Sequence, residues 1–399
     1  MEKEVRYDFS TSVPREDTNS EKYVLREKLF GTKGVEPLWV ADMDIDTPDF
    51  VLNAVKKRLE HPVIGYEEVP SSMFDAQIEW MKREHNVEFV LEDMLYSHSV
   101  VASMNVAIEA FTQKGDKVIV QTPVYSPFFH SVIEHERDIL KNPLKQKDDG
   151  SYTFDIEDLK SKIDEKTKLL LLCSPHNPVG RVWKREELEE ILKVCLKHNI
   201  VVFSDEIHCD LVYAPSKHTP FVSLSQEARN ITVTAIGVGK TFNMAGFAIS
   251  SVAIPNRDLR EKFLKVYNRI HFANGSSLSH AAFETAYKDG REWLEALKEH
   301  LLKNYNMLQK VCEKFPHLIK VTPIEGTYLA WLDCRGMKLR DKELRDFFVK
   351  EAKLGLSAGL GFGREGSGFM RLNFAVCFVK MLQIVSSLEK VLLEYKKID

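Results

Sequence analysis

Residues 174–180 read Ser-Pro-His-Asn-Pro-Val-Gly, residues 204–208 read Ser-Asp-Glu-Ile-His, and residues 240–243 read Lys-Thr-Phe-Asn. Each stretch comes soon after a short apolar run, and helical patterns separate these runs. Apolar runs that alternate with amphipathic helices are typical of βαβ units, whose strands form a parallel sheet. We therefore predict an α/β fold with a central, mostly parallel sheet. The predicted strands are Lys117–Gln121, Leu169–Cys173, Ile200–Ser204, Ile231–Ala235 and Ser250–Ile254.

The pattern changes past about residue 288, where long charged helices begin. They are followed by a predicted strand and hairpin over Val321–Trp331 and a predicted strand over Phe369–Phe374. A chain of 399 residues is long enough for about two domains. We expect an N-terminal segment over 1–45 that packs with the small domain, a large domain over 46–287, and a smaller C-terminal α+β domain over 288–399.

Composition excludes several classes of partner. The chain has 55 Lys and Arg against 59 Asp and Glu, with the two signs interspersed, so it lacks the basic face that nucleic acid binding needs. Its longest aliphatic run, Leu169–Cys173, is too short to cross a bilayer, and no apolar segment follows the charged start Met1–Glu4. We expect a cytoplasmic protein that binds neither nucleic acid nor membranes.

The six cysteines lie in or beside apolar stretches, and no two have the CxxC spacing of zinc or redox sites. Cys195, for example, shares helical spacing with Leu188 and Ile191 in a predicted amphipathic helix over Trp183–His198. We therefore expect buried free thiols and no metal site.

Four polar residues follow the ends of predicted strands. Asn177 follows Leu169–Cys173, Asp205 follows Ile200–Phe203, Lys240 lies beyond Ile231–Ala235, and Tyr125 follows Lys117–Gln121. In an open parallel sheet, ligands collect at the carboxyl ends of the strands. Each residue alone is a common surface or turn residue, but together they predict a single site.

This order of an asparagine loop, an acidic strand end and a lysine resembles the pyridoxal-phosphate enzymes of the aspartate aminotransferase superfamily. The resemblance implies fold type I and pyridoxal 5'-phosphate as the cofactor. It implies that Lys240 forms an imine with the cofactor and that Asp205 pairs with the pyridinium nitrogen. Asn177 would donate to the phenolic oxygen, Tyr125 would stack on the ring, and His208 would lie near the same ring edge. Lys240, Tyr125 and Asp205 are the expected catalytic residues.

The expected phosphate site departs from that family. Relatives usually carry Ser or Thr within three positions before the lysine, whereas this chain has Gly237 and Gly239 there. Backbone N–H groups at Val100 and Val101, where a loop opens a helix, are the expected replacement, together with Gly239. We also expect a homodimer, because Tyr66 matches a tyrosine that reaches the phosphate from the neighbouring subunit.

The resemblance also implies a substrate site. Arg371, in Met370–Phe374, matches the arginine whose planar fork holds the substrate α-carboxylate. The backbone at Ala41 is expected to lie across from it, with Asn177 as a further substrate contact.

Three features narrow the resemblance to the C–S lyases that include cystathionine β-lyase of the MalY/PatB type and cystalysin. His208 stands where aminotransferases usually carry a tyrosine, and Ala248 stands where many carry a phosphate-binding arginine. The segment Thr241–Gly246 also has the lyase form. The match runs nearly end to end, from Tyr7–Ser10 to Ile324–Leu329 and Arg371.

The implied reaction is β-elimination. From L-cystathionine, L-cysteine or a related L-cysteine conjugate, it gives pyruvate, ammonia and a thiol, with Lys240 as the general base. Two alternatives remain open. An aminotransferase shares every cofactor residue and differs in where the proton goes afterwards. A pyridoxal-phosphate-binding regulatory protein is disfavoured, because Lys240, Asp205 and Arg371 are all present.

Overall fold

The computed structural model describes residues 7–271 and 274–395 of the chain. Its strands are β1 Glu36–Pro37, β2 Met94–Ser97, β3 Lys117–Val120, β4 Asp138–Lys141, β5 Lys145–Gln146, β6 Tyr152–Thr153, β7 Thr167–Cys173, β8 Val201–Asp205, β9 Thr232–Ile236, β10 Ser250–Ala253, β11 Lys320–Val321, β12 Leu329–Asp333, β13 Leu354–Gly355, β14 Ser357–Ala358 and β15 Phe369–Asn373. Its helices are α1 Glu21–Val24, α2 Arg26–Phe30, α3 Asp49–Leu59, α4 Ser71–His85, α5 Val100–Phe111, α6 Pro127–Glu134, α7 Ile156–Lys162, α8 Arg185–His198, α9 Gln226–Ile231, α10 Val238–Thr241, α11 Arg257–Arg269, α12 Ser277–Asp289, α13 Arg291–Lys314, α14 Asp341–Lys350 and α15 Phe378–Tyr395. None of the helices in these ranges combines the length and the apolar character that a membrane crossing requires.

Seven strands form the central sheet, in the order β2-β10-β9-β8-β7-β3-β4. The five strands from β9 to β4 run parallel, as the βαβ pattern predicts. The strand predicted over Ser250–Ile254 is present as β10 but is antiparallel to both β9 and β2, so the sheet is mostly and not wholly parallel. A parallel connection needs a crossover, usually a helix. The chain between β9 and β10 has only the four-residue α10 and a short 3-10 turn.

The leucines of β7 show why this sheet is covered on both faces. Leu170 and Leu172 pack with Trp183 and with the apolar side of α8. Leu169 and Leu171 point to the opposite face, where α5 and α11 supply the neighbouring side chains. Successive side chains of a strand alternate between faces, so a continuous apolar strand indicates a sheet buried on both sides.

A second sheet has the order β11-β12-β15-β14 and is antiparallel throughout. It contains the predicted hairpin, as β11 and β12, and the strand predicted over Phe369–Phe374, as β15. β1 pairs in parallel with β13, so the N-terminal segment joins the C-terminal part of the chain. The domain limits at residues 45 and 287 stay a prediction.

Ion pairs in the interior hold the N-terminal segment in place. Lys22 is fully buried, and its Nζ lies 3.3 Å from Asp42 Oδ1 and 3.2 Å from Asp44 Oδ1. Arg15 contacts the same two carboxylates at 2.6 and 2.7 Å, and Lys380 of α15 reaches Asp44 Oδ2 at 3.3 Å. Removing one partner of a buried pair typically costs about 3–5 kcal/mol. The network therefore ties α1 and the following segment firmly to α15.

Candidate active site

Lys240 lies in α10, four residues after the carboxyl end of β9. Its Nζ donates a hydrogen bond to the carbonyl oxygen of Ala41 at 2.7 Å. Burial lowers the pKa of the amine to about 8, and the negative charge of Asp42 works in the opposite direction. An amine with this pKa has a larger neutral fraction near pH 7 than an ordinary lysine. Neutral amine is what both imine formation and proton abstraction need.

Asp205 is the last residue of β8, between β7 and β9 in the sheet. Its Oδ1 accepts a hydrogen bond from the backbone N–H of Ile207 at 3.1 Å. Burial raises the pKa of the carboxyl group to about 7, and the charge of Lys240 lowers it only in part. A buried carboxylate with so little compensation is stabilised by a cationic N–H donor. A protonated ring nitrogen is such a donor.

Arg371, on β15, is buried beside Asn177. Its Nη1 donates to Asn177 Oδ1 at 3.0 Å, and its Nη2 donates to the Trp39 carbonyl oxygen at 2.6 Å. Burial lowers the pKa of the guanidinium to about 10, and its Nε has no hydrogen-bond partner. Within the described ranges, no acidic side chain forms an ion pair with it. A buried cation whose partners are all neutral is suited to bind an anionic ligand such as a carboxylate.

Asn177 connects this arginine to Tyr125. Because Asn177 Oδ1 accepts from Arg371, its Nδ2 is the group that remains to donate. The backbone N–H of Tyr125 donates to the carbonyl oxygen of Asn177 at 3.2 Å. The Tyr125 side chain is 37% exposed, so it lies at the rim of the site rather than in the core. Partial burial raises the pKa of its phenol, and the nearby charge of Arg371 opposes that shift.

His208 follows Asp205 in the same loop, and its ring packs edge to face on Tyr328, with centroids 5.7 Å apart. Burial, with the charges of Lys240 and Arg371, lowers the pKa of the imidazole to about 3. The ring is therefore neutral at any ordinary pH. Its Nδ1 is buried without a hydrogen-bond partner in the described part of the chain, as a ring that lines a ligand site would be.

The residues predicted for the phosphate lie near Lys240. Val100 and Val101 open α5, whose cap is Ser99, so their N–H groups belong to the first turn. Ser97 at the end of β2 pairs with Ser250 of β10, and Ser250 lies against Gly237, where an added Cβ would meet Ser250 Cβ at 3.0 Å. The N-terminus of α5 thus adjoins the turn that carries Lys240 and Gly239. Free N–H groups in the first turn of a helix favour an anion.

Tyr66 is separate from the other predicted residues. Its side chain is fully exposed, and within the described part of this chain it makes no hydrogen bond. The structure of one chain thus brings together Lys240, Asp205, Asn177, Arg371, Ala41, Tyr125 and His208, and leaves Tyr66 outside this group.

Sequence reasoning assigned no role to three residues that complete the site. Tyr328 donates from its hydroxyl to the Ala41 carbonyl oxygen at 2.8 Å. Trp39 supplies a backbone acceptor to Arg371, and Ser357 Oγ lies 3.3 Å from the same guanidinium. The sequence contains only a weak indication that these residues belong to the site. Tyr328 and Trp39 stand in segments that carry the family resemblance, but their contacts depend on chain regions about 300 residues apart.

One group of side chains has the spacing of a metal site. His85, Cys209 and Asp210 offer ligand atoms within 4.8 Å of one another. The Asp210 carboxylate, however, already accepts hydrogen bonds from Trp80 Nε1 and from Thr241 Oγ1. It also forms a hydrogen bond with the Nε2 atom of the His85 ring. Burial raises the pKa of the Cys209 thiol well above its usual value, which disfavours the thiolate that a metal needs. The group functions as a hydrogen-bond network around Asp210.

The donor set fits pyridoxal phosphate. Lys240 offers an amine of lowered pKa, Asp205 an uncompensated carboxylate, and Asn177 a free amide donor. The opening turn of α5 offers N–H groups to a phosphate. These are the groups that this cofactor requires of a protein.

Comparison with known proteins identifies the family. The aminotransferase class I and II family matches residues 40–386. Cystathionine beta-lyase PatB of Bacillus subtilis is 40% identical over 94% of this chain and 97% of its own length, and Protein MalY of Escherichia coli is 31% identical over 92% and 94%.

Two solved structures have the same fold along nearly the whole chain. Cystalysin from Treponema denticola, which contains pyridoxal 5'-phosphate, superposes with a TM-score of 0.94 at 35% identity, covering 97% of this chain and 99% of that one. The pyridoxal-phosphate-bound C–S lyase from Staphylococcus hominis gives 0.89 at 31%, with the same coverage. The fold type I prediction and the cofactor are thereby confirmed. The chain belongs to the aminotransferase class I and II family, as a homologue of its PatB and MalY members.

Proposed function

We propose that this protein is a pyridoxal-phosphate-dependent C–S lyase. It carries out β-elimination on L-cystathionine, L-cysteine or a related L-cysteine conjugate and releases pyruvate, ammonia and a thiol. The observation that carries the proposal is the buried guanidinium of Arg371, which lies beside Asn177 without an acidic partner among the described residues, in the same site as the lysine amine. PatB and the Staphylococcus hominis protein, which bear lyase names, support the choice of reaction.

Bound pyridoxal phosphate would supply an electron sink for the pair left by the α-proton. The residues that would hold it are Lys240, Asp205, Asn177, His208, Tyr125, Val100, Val101, Gly239 and, from a second subunit, Tyr66. Asp205 would pair as a carboxylate with the protonated ring nitrogen, which would offset the burial that raises its pKa in the cofactor-free protein, and the neutral His208 adds no competing charge. The low pKa of His208 distinguishes it from a proton donor in this site.

The substrate is oriented by its carboxylate and deprotonated by the lysine. Arg371 binds the α-carboxylate, with Asn177 and the backbone of Ala41 as neighbours. Lys240, as the neutral amine, takes the proton from Cα and becomes an ammonium. The electron pair left by the α-proton then forms a Cα=Cβ double bond as the Cβ–S bond breaks with its electron pair on sulfur, and water hydrolyses the released enamine to pyruvate and ammonia. Lys240 or the phenol of Tyr125 returns a proton to that thiolate, which leaves as a thiol.

Pyruvate formation tests the reaction. The purified protein, loaded with pyridoxal phosphate, is given L-cystathionine without a 2-oxo acid, and pyruvate is measured. Lys240→Ala is expected to abolish product, whereas Lys217→Ala, at an exposed lysine outside the site, is expected to leave it unchanged. Amino transfer to an added 2-oxo acid, with no pyruvate in its absence, would instead identify an aminotransferase. That alternative has support from a 28% identical aspartate aminotransferase of Pyrococcus abyssi.

We also propose a homodimer in which Tyr66 completes the neighbouring site. Large apolar side chains are exposed along the end of α3 and the segment after it, at Leu59, Val63, Ile64 and Tyr66. A contiguous exposed apolar strip of this kind is typical of a surface that another chain covers.

Mixing two inactive variants tests shared sites. Tyr66→Ala and Lys240→Ala homodimers are each expected to be weakly active or inactive. A hybrid dimer has one site with both native residues, so activity returns after subunit exchange. No recovery in a hybrid verified by mass would rule out a shared site.

The cytoplasmic location that we propose is supported by the cysteines, since all six are free and buried.

A further inference from the structure

The carbonyl oxygen of Ala41 is a shared acceptor. Lys240 Nζ donates to it at 2.7 Å and Tyr328 Oη donates to it at 2.8 Å. Within the described ranges, neither donor has a second hydrogen-bond acceptor. A carbonyl oxygen has two lone pairs, so it can accept from both groups at once. The phenol of Tyr328 and the amine of Lys240 are therefore linked through one atom.

Tyr328 is rigidly placed by a strained turn. Thr327 has φ +70, which is rare for a β-branched residue. Its N–H donates to the Leu211 carbonyl at 2.7 Å, and its own carbonyl accepts from the Tyr213 hydroxyl at 2.7 Å. Strained backbone persists where its surroundings fix it, and it is common at functional sites. The ring of Tyr328 that follows is fully buried.

The backbone on both sides of Ala41 is fixed as well. Asn373 Nδ2 donates to the carbonyl oxygens of Val40 at 2.7 Å and Asp42 at 2.6 Å. Ala41 thus lies in a short strap, residues 40–42, which is clamped at each end by one side-chain amide. Among the described residues, the donors to its own carbonyl oxygen are Tyr328 and Lys240.

We propose that Tyr328 is a positioning residue for the Lys240 amine: by holding the Ala41 carbonyl, it fixes the acceptor that orients the free amine toward the substrate. The proposal rests on the lyase function given above, in which Lys240 is the base. When the amine takes the α-proton, the C–H bond breaks, its electron pair remains on the substrate side, and a new N–H bond forms. The fixed carbonyl directs one N–H of the amine away, so that the lone pair faces the substrate.

The charges around Lys240 determine in which direction each substitution should shift the pKa of its amine. The carboxylates of Asp42 and Asp205 raise the pKa of the amine, and the guanidinium of Arg371 lowers it. The phenol of Tyr328 and the ring of His208 are neutral neighbours, because burial raises the first pKa and lowers the second.

Removal of the Tyr328 hydroxyl frees the second lone pair of the Ala41 carbonyl, which then stabilises a lysine ammonium better. Tyr328→Phe is thus expected to raise the pKa of the amine. Asp42→Asn removes an attractive negative charge and is expected to lower it. Asp42 is partly exposed, and in Asp42→Asn the carboxylate of Asp44 remains as a partner of both Arg15 and Lys22, so neither cation loses its last ion pair.

The test measures how fast the full-length, cofactor-free protein captures pyridoxal phosphate at different pH values, by the change in absorbance. Capture needs the neutral amine, so the fall of the capture rate at low pH, the acid limb of the pH–rate profile, reports the ionisation of Lys240. The cofactor also titrates, but it does so equally in every variant, so a difference between variants reports the protein alone. Tyr328→Phe is expected to move the limb to higher pH, and Asp42→Asn to lower pH. Tyr328→Phe is also expected to reduce kcat about tenfold with KM nearly unchanged.

Two matched variants separate positioning from general damage. Tyr305→Phe removes another buried hydroxyl that donates to a backbone carbonyl, that of Thr322. Asp46→Asn removes an exposed charge four residues from Asp42. Both are expected to leave the limb in place. The proposal is overturned if the acid limb of Tyr328→Phe stays where it is in the unsubstituted protein. It is also overturned if the limbs of Tyr328→Phe and Asp42→Asn move in the same direction. Because capture needs no turnover, absence of pyruvate would count against the lyase function alone.

Discussion

Replacing Gly239 by serine is expected to tighten the binding of pyridoxal phosphate. Gly239 stands immediately before Lys240, where relatives usually carry a hydroxyl, and its φ lies outside the left-handed region that favours glycine. A Cβ built on Gly239 would meet its nearest neighbour, the Ala245 Cα, at 3.5 Å, which is an ordinary contact. The site therefore accepts a serine without rearrangement. The substitution restores a donor that this chain lacks next to the lysine.

The size of the effect follows from one added hydrogen bond to a charged group. Such a bond contributes about 1.5–3 kcal/mol, and each 1.4 kcal/mol changes the dissociation constant about tenfold. Fixing the serine rotamer offsets part of this gain, so the lower end of the range is the expected value. Gly239→Ser is thus expected to lower the Kd for pyridoxal phosphate about tenfold.

The assay is equilibrium dialysis of the protein against graded pyridoxal phosphate, with bound cofactor read by absorbance. Gly237→Ser is the matched control, because a Cβ there would meet Ser250 Cβ at 3.0 Å and Ile207 Cδ1 at 3.1 Å. That crowding is expected to cost about 1–3 kcal/mol of stability without tightening the cofactor. An unchanged Kd in a well-folded Gly239→Ser protein would refute the idea that a missing hydroxyl weakens this phosphate site.

Three further substitutions test other parts of the site. Burial raises the pKa of Asp205 from 3.8 to about 7 in the fold, so its contribution to stability is present below pH 4 and is lost as the pH rises to 7. Asp205→Asn is expected to remove this loss of up to about 4 kcal/mol in the cofactor-free protein, seen as a flatter dependence of urea unfolding on pH between about 4 and 7; an unchanged dependence contradicts this. Arg371→Lys loses the planar fork and is expected to raise KM for L-cystathionine at least about tenfold, with cofactor affinity unchanged as the check; an unchanged KM contradicts its role. Asn243→Ala removes side-chain hydrogen bonds to Met43 and Ile45, at a residue with φ +53. It is expected to lower the free energy of unfolding by about 2–4 kcal/mol, measured by urea titration, and a loss below about 1 kcal/mol contradicts this.

Much of the site could be predicted because it depends on local signals. Asp205 and Asn177 each follow an apolar run that is too short for a helix, and the edge rule for parallel sheets then places them together. The same reasoning found Lys240, although it lies four residues beyond the end of its strand, within the short helix α10. The direction of β10 was not predictable in this way, because strand polarity depends on the connection, and the four residues of Ser250–Ala253 do not themselves specify a direction.

The remaining features depend on distant partners. Lys22 sits in a charged stretch that would ordinarily be solvent-exposed, yet it is fully buried between two carboxylates. Tyr328 acts on a carbonyl 287 residues away. A short sequence window contains no information about such a contact, since neither residue has a pattern that specifies its partner.

The strap over residues 40–42 also sets the order in which the active site can be assembled. Asn373 clamps Asp42 across 331 residues, and Lys240 reaches Ala41 across 199. During synthesis, the central sheet is complete once β10 has emerged, more than a hundred residues before Asn373. A nascent chain can therefore hold Lys240, Asp205 and Asn177 in a folded sheet while the strap is still unclamped. Such long-range closure is slow compared with local folding, so a mature site is a property of the finished polypeptide and not of its largest sheet.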